Sequence, residues 1–75
     1  MPHVVAKLYS GRSEQQTELA ARITHAVMAS VQCTEAAVSV GIEDVKPADW
    51  IEQVYKPDIV GKPDTLFKRP GYNPR

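Results

Sequence analysis

HVVAKLYSGRSEQQ, residues 3–16, decides how the chain folds. From His3 to Tyr9 the side chains alternate: Val4, Ala6 and Leu8 fall on one face of an extended segment, and His3, Val5, Lys7 and Tyr9 on the other. That is the period of a strand with one face toward a core. In Ser10-Gly11-Arg12-Ser13, Gly11 permits a tight turn, and Ser13 with Gln16 reads as a capping box opening a helix. Beyond it Leu19, Ile23 and Val27, with Ala20, Ala26 and Val31 beside them, recur at spacings of three and four and form one apolar stripe. Glu18 and Arg22 are spaced to pair on the exposed side. The helical period is lost around Gln32-Cys33-Thr34. From Val38 an alternation of two returns, with Val38, Val40 and Ile42 set against Ser39, Gly41 and Glu43, which predicts a second strand.

Strand, helix and strand in so short a stretch make a βαβ unit with parallel strands and a right-handed crossover, an α/β (α+β) fold in which residues 1–75 form a single domain. Two strands leave raw edges. Pairing those edges with a second copy, to give a wider sheet with helices on one face, is the simplest remedy, so an obligate homo-oligomer is expected. The remaining third, VKPADWIEQVYKPDIVGKPDTLFKRPGYNPR, is divided by prolines into short pieces. It predicts one helical segment near 49–55, another near 64–68, and a turn at Pro70-Gly71. The recurring Lys-Pro-Asp at 56–58 and 62–64 is turn and helix-start chemistry, not a structural repeat. Such a tail is suited to wrapping a neighbouring subunit.

Composition sets the limits. A chain of 75 residues buries only about 60% of the surface its unfolded form exposes, so the core is thin. Cys33 is the single cysteine, which excludes an internal disulfide and suits a reducing cytoplasm. No cluster of ligating residues calls for a metal. No apolar run reaches the length of a membrane span, and the start lacks the pattern of a signal peptide. Nine basic residues balance nine acidic ones, so no global field draws the chain to nucleic acid or an anionic membrane. Recognition of an anion must come from a local site.

Pro2 lies directly behind the initiator and directly ahead of the first strand. Removal of Met1, which the small neighbour permits, leaves Pro2 as a free secondary amine held at a rigid strand start. An ordinary amino terminus titrates near pH 8, and desolvation or nearby cations lower it toward the range of a general base. The plainer reading is that Pro2 only permits methionine removal and begins a strand.

MPHVVAKLYSGRSEQQ resembles the 4-oxalocrotonate tautomerase family, whose members use an amino-terminal proline as catalytic base. The second strand AVSVGIEDV, the following VKPADW and the closing FKRPGY are most similar to its subgroup of dimeric phenylpyruvate-type tautomerases, so the likeness runs over nearly the whole chain. It implies keto–enol tautomerisation of a 2-oxo acid or its enol, without metal or cofactor, in a homodimer or a hexamer. Carried onto this sequence, it makes Pro2 the base, Arg12 the holder of a substrate carboxylate together with helix N–H groups, and Trp50 an apolar pocket wall. Arg12 as an exposed turn residue and Trp50 as a core or subunit-contact aromatic are the plainer alternatives.

One departure matters. The founding members carry a second arginine in the second strand, where this chain has Ser39. A serine can hydrogen-bond an enol oxygen but offers no bidentate charge, so a monocarboxylate with an apolar end, such as phenylpyruvate, fits better than a dicarboxylate. Lys68 or Arg69 from a partner's tail is a substitute cation, or else a solvated basic pair. His3 reads as a surface or subunit-contact residue, because adjacent strand residues face opposite ways. His25 has no partner at ligand spacing, Cys33 reads as a small half-buried residue, and Tyr72 either closes over a pocket or packs the tail. Two other functions stay open: hydration or iminium chemistry on unsaturated acids or aldehydes at the same proline, and a noncatalytic oligomeric module whose basic tail FKRPGYNPR meets a partner.

Overall fold

A computed structural model describes residues 1–72; the last three residues of the basic tail lie outside the described residues. Strand β1 (His3–Tyr9) leads through a 3-10 turn (Ser13–Gln15) into helix α1 (Gln16–Val31), and a second 3-10 turn (Glu35–Ala37) leads into strand β2 (Ser39–Val45). The two strands pair in parallel, in register from His3 opposite Ser39 to Tyr9 opposite Val45. The ladder extends one bond beyond each end, Ser39 N–H donating to the Pro2 carbonyl at 3.1 Å and Ser10 N–H to the Val45 carbonyl at 3.0 Å. The βαβ unit is therefore the one the hydrophobic periods predict.

Helix α1 departs from the predicted pattern at its start and along its stripe. No side chain caps the 3-10 turn or the helix, so the expected Ser13–Gln16 capping box does not form. The Gln16 amide is spent elsewhere, donating to Asp44 Oδ1 at 2.6 Å and tying the helix start to β2. Leu19, Ala20, Ile23 and Val27 lie half-buried as expected, but Ala26 and Val31 are exposed. Thr24 and Met28 take their place. Thr24 is tolerated there because its hydroxyl donates to the Ala20 carbonyl at 2.8 Å. Glu18 and Arg22 pair at 3.1 Å as their spacing predicts. The helix stops where Gln32 turns left-handed, φ 53°.

After β2 the chain makes a 3-10 turn (Pro47–Asp49) and then a wide helix over Ile51–Val60 with π-type bonding. This segment starts where a helix was expected and runs five residues further, through Pro57. A proline inside an α-helix clashes with the carbonyl four residues back and removes a donor. Widening each turn to an i to i+5 bond relieves that clash, and Gly61 N–H closes the last such turn on the Lys56 carbonyl at 2.8 Å. The expected helix near 64–68 shrinks to a 3-10 turn at Pro63–Thr65, because Leu66 is already extended.

Each face of the two-stranded sheet is partly covered within one chain. Leu8 shares a cleft with Leu19 of α1. On the other face Val5, Lys7 and Tyr9 meet the C-terminal segment, where Val5 and Lys7 share a cleft with Trp50 and Val54. The core is thin as composition requires: among the described residues only Val45 and Val54 are buried hydrophobics, while Val5, Tyr9, Val60, Phe67 and Tyr72 stay exposed.

Gly61 is fixed by close approach. A Cβ there would lie 2.8 Å from the Pro57 carbonyl oxygen and 2.9 Å from that of Lys56. Gly61→Ala is expected to cost about 1–3 kcal/mol by overpacking against backbone that cannot retreat. Urea denaturation at fixed protein concentration checks this, and a midpoint equal to that of the parent chain would contradict it.

Candidate active site

The residues marked in the sequence fall into two groups at opposite ends of β1. At its start, Pro2 is half-buried and its carbonyl is held by the Ser39 amide. Ser39 Oγ lies 2.6 Å from Nδ1 of His3, its register partner, so Pro2, His3 and Ser39 form one polar knot. His3 is exposed, as strand alternation predicts, and its cross-strand contact with Ser39 becomes visible only once the register is known.

At the far end, Arg12 and Trp50 share a cleft of about 360 Å³ with Lys7, Leu8, Tyr9 and Tyr72. The chain has one Trp, three Tyr and one Phe, and three of these five rings line this single cleft. Tyr9 and Trp50 meet edge to face, centroids 5.0 Å apart at 84°. The indole N–H of Trp50 donates to the Tyr72 hydroxyl oxygen at 3.1 Å, and the Tyr72 ring lies 6.1 Å from that of Tyr55. Tyr9 was readable from sequence only as an outward strand residue. Tyr72, for which the sequence offers two roles, lines the cleft.

Arg12 is exposed and makes no ion pair among the described residues, unlike Arg22, which pairs with Glu18. The 3-10 turn separates it from α1, and its carbonyl already accepts from Gln15 N–H at 3.1 Å. The Arg12 guanidinium thus stands apart from the first N–H groups of α1. Lys7 differs. Its Nζ donates to Asp58 Oδ2 at 2.5 Å in a half-buried pair. That hydrogen bond, outweighing partial desolvation and aided by the charges of Asp58 and Glu43, raises the Lys7 pKa above its ordinary value. Lys7 is therefore a committed cation and no proton acceptor. Ser39 and Pro2 lie away from this cleft: β1 rises roughly 3.3 Å per residue, which puts about 20 Å between its two ends.

Among the described residues no three His, Cys, Asp or Glu side chains come together as a metal site, and no helix is long and apolar enough to cross a membrane. Cys33 is a free, half-buried thiol. Lys68 and Arg69 are exposed.

A βαβ chain this small, with a proline at its strand start and an exposed arginine beside aromatic rings at the other end of that strand, offers the kind of cleft a small isomerase uses. Comparison with known proteins agrees. The family model described as tautomerase enzyme matches residues 2–55, and the chain belongs to that family. It is 45% identical over 73 residues to a probable tautomerase of Xylella fastidiosa, covering 96% of this chain and 89% of that protein. It is 37% identical over 75 residues to tautomerase PptA of an Enterobacter species, covering 97% and 99%, and 34% identical over 74 residues to tautomerase PptA of Cronobacter sakazakii, covering 96% and 97%. The chain is a tautomerase, an isomerase.

The Lys7 shift yields a stability prediction. A pKa raised on folding contributes stability that is fully present below the ordinary lysine value of 10.5 and is lost as pH rises through the raised value. Lys7→Met should therefore melt below the parent chain at neutral pH, with the gap narrowing above that value. Thermal melts across alkaline pH at one protein concentration check this, and a gap independent of pH would contradict it.

Proposed function

We propose that the chain interconverts the keto and enol forms of a 2-oxo monocarboxylic acid with an apolar end, phenylpyruvate being the model, using Pro2 as general base once Met1 is removed. The observation that carries this reading is the anchoring of Pro2: the Ser39 amide fixes its carbonyl at the head of the ladder, while Met1 ahead of it is 104% exposed and contributes nothing to the fold. Freed of Met1, the Pro2 nitrogen takes a proton from the carbon beside the carbonyl. The charge moves to the carbonyl oxygen, to which the Ser39 hydroxyl donates when His3 holds the tautomer whose Nδ1–H donates to Ser39 Oγ. The same nitrogen, now protonated, returns the proton on the other side of the equilibrium. Arg12 holds the carboxylate, and Trp50 with Tyr9 forms an apolar wall for the rest of the molecule. With Ser39 in place of a second cation, a second carboxylate would be left unpaired.

The distance along β1 forces a second copy into this scheme. A small acid does not reach from Pro2 to Arg12 of one chain. A twofold axis that pairs two edge strands makes them antiparallel, and so sets the Arg12 end of one copy beside the Pro2 end of the other. Each strand of the sheet has one unpaired edge to offer, and the exposed Val5 and Tyr9 would gain cover. The reading is a homodimer with two shared sites, acting in the cytoplasm, where Cys33 stays reduced.

Pro2→Ala should lower kcat/KM for phenylpyruvate tautomerisation by about 10²–10⁴-fold, with mass spectrometry of the first residues confirming that Met1 is absent from both proteins. An unchanged rate would defeat the assignment. Arg12→Gln should chiefly raise KM. If the site is shared, Pro2→Ala and Arg12→Gln proteins mixed and allowed to exchange subunits should recover about a quarter of parental activity at substrate well below the parental KM, where the Arg12→Gln sites contribute little, since half the dimers carry one intact site. No recovery despite proven exchange would place both residues in one subunit's site.

A further inference from the structure

We propose that the Tyr72 hydroxyl is a second carboxylate-binding group, which donates a hydrogen bond to the same substrate oxygen cluster that Arg12 holds. The proposal rests on the reading of Arg12 as the carboxylate holder and adds a residue to it.

Chemistry fixes the direction of the hydrogen bond between Trp50 and Tyr72. An indole nitrogen carries a hydrogen and offers no lone pair in the ring plane, so it can only donate. In the 3.1 Å contact between Trp50 Nε1 and Tyr72 Oη the phenol oxygen must therefore accept. Its own hydrogen is turned away from Trp50, and no other partner for the Tyr72 hydroxyl exists among the described residues. A hydroxyl that accepts one bond also donates its hydrogen more strongly, because the two bonds polarise each other. Tyr72 is thus a donor made ready by Trp50 and left without an acceptor.

Its position says which acceptor fits. Tyr72 lines the cleft that Arg12, Lys7, Leu8, Tyr9 and Trp50 also line. Lys7 is engaged by Asp58, so among the described lining residues the Arg12 guanidinium and the hydroxyls of Tyr9 and Tyr72 are left to meet a ligand's anionic end, and of the two phenols only that of Tyr72 is polarised by an indole donor. Arg12 and Tyr72 both donate only in that role, and together they match a carboxylate, which accepts at two oxygens. The remaining walls, Leu8 and the rings of Tyr9 and Trp50, suit a flat apolar body. The Tyr72 ring is steadied from behind by Tyr55, which reduces the entropy lost when the hydroxyl engages a ligand.

Calorimetric binding of an unreactive aryl carboxylate, 3-phenylpropionate, compared with its neutral amide, tests this without relying on turnover. Tyr72→Phe keeps the ring and removes only the hydroxyl. It should weaken carboxylate binding about ten-fold or more, the scale of a hydrogen bond to a charged acceptor, and leave amide binding nearly unchanged. Trp50→Phe should also weaken carboxylate binding, but far less in the Tyr72→Phe background than alone, because its contribution passes through the phenol. In turnover of phenylpyruvate, Tyr72→Phe should raise KM with kcat near the parental value. Equal losses for carboxylate and amide, or no loss for either, would make Tyr72 a mere wall and overturn the proposal. Arg12→Gln serves as the separate control: if it abolishes the preference for carboxylate while Tyr72→Phe does not, the tyrosine alone is excluded. If Arg12→Gln leaves the preference intact, the site on which the proposal rests is itself wrong.

Discussion

The parallel register of two seven-residue strands governs everything else in this molecule. Setting His3 opposite Ser39 puts the Ser39 amide on the Pro2 carbonyl, and so fixes the residue proposed as the base. A slip by one position would turn the whole alternating set over, exchanging Val4, Ala6 and Leu8 with Val5, Lys7 and Tyr9. The first group would then lose α1, and the second would lose Trp50, Val54 and Asp58. The length of the ladder is as consequential as its register, because it holds the proline and the arginine too far apart for one small molecule to touch both.

That division is consistent with how little the single chain buries. Among the described residues two valines are buried, whereas Phe67 and several other large apolar side chains stand in the open. The partners these side chains lack and the catalytic groups that either end of β1 lacks are supplied by the same event in the proposed dimer. A thin core and a divided site are two aspects of one economy of length.

The first half of the chain was largely legible in the sequence. Alternation over 3–9 and 38–43 and the three-four spacing of Leu19, Ile23 and Val27 dictate strand, helix and strand, since each period can bury only one kind of element. What escaped has identifiable causes. Ser13 looked like a cap because capping is judged from neighbours in sequence, while Gln16 was claimed by Asp44 from another element. Thr24 entered the helix's inner face because its hydroxyl found a carbonyl one turn back. The extent of the wide helix could not be read from periodicity, since Pro57 argues for a break and only the change to i to i+5 bonding reconciles it with continued helical winding. Within the candidate site, Pro2, Arg12, Ser39 and Trp50 stand out by residue type and by resemblance. Tyr9 and Tyr72 join Trp50 only through tertiary contacts, which no local pattern encodes, and His3 meets Ser39 only through the strand pairing.

The wide helix is shaped by an imino acid and a residue with no side chain, Pro57 and Gly61, so nothing in its outline depends on what its solvent-facing positions carry. Glu52, Gln53 and Lys56 are exposed, the first and last joined only by a surface ion pair of the kind that contributes little. These positions are free to drift in charge as lineages diverge, while Trp50, one residue ahead of the helix, keeps its place beside Tyr9. Descendants of this chain can thus alter their outer coat for a new cellular milieu and leave the cleft as it was inherited.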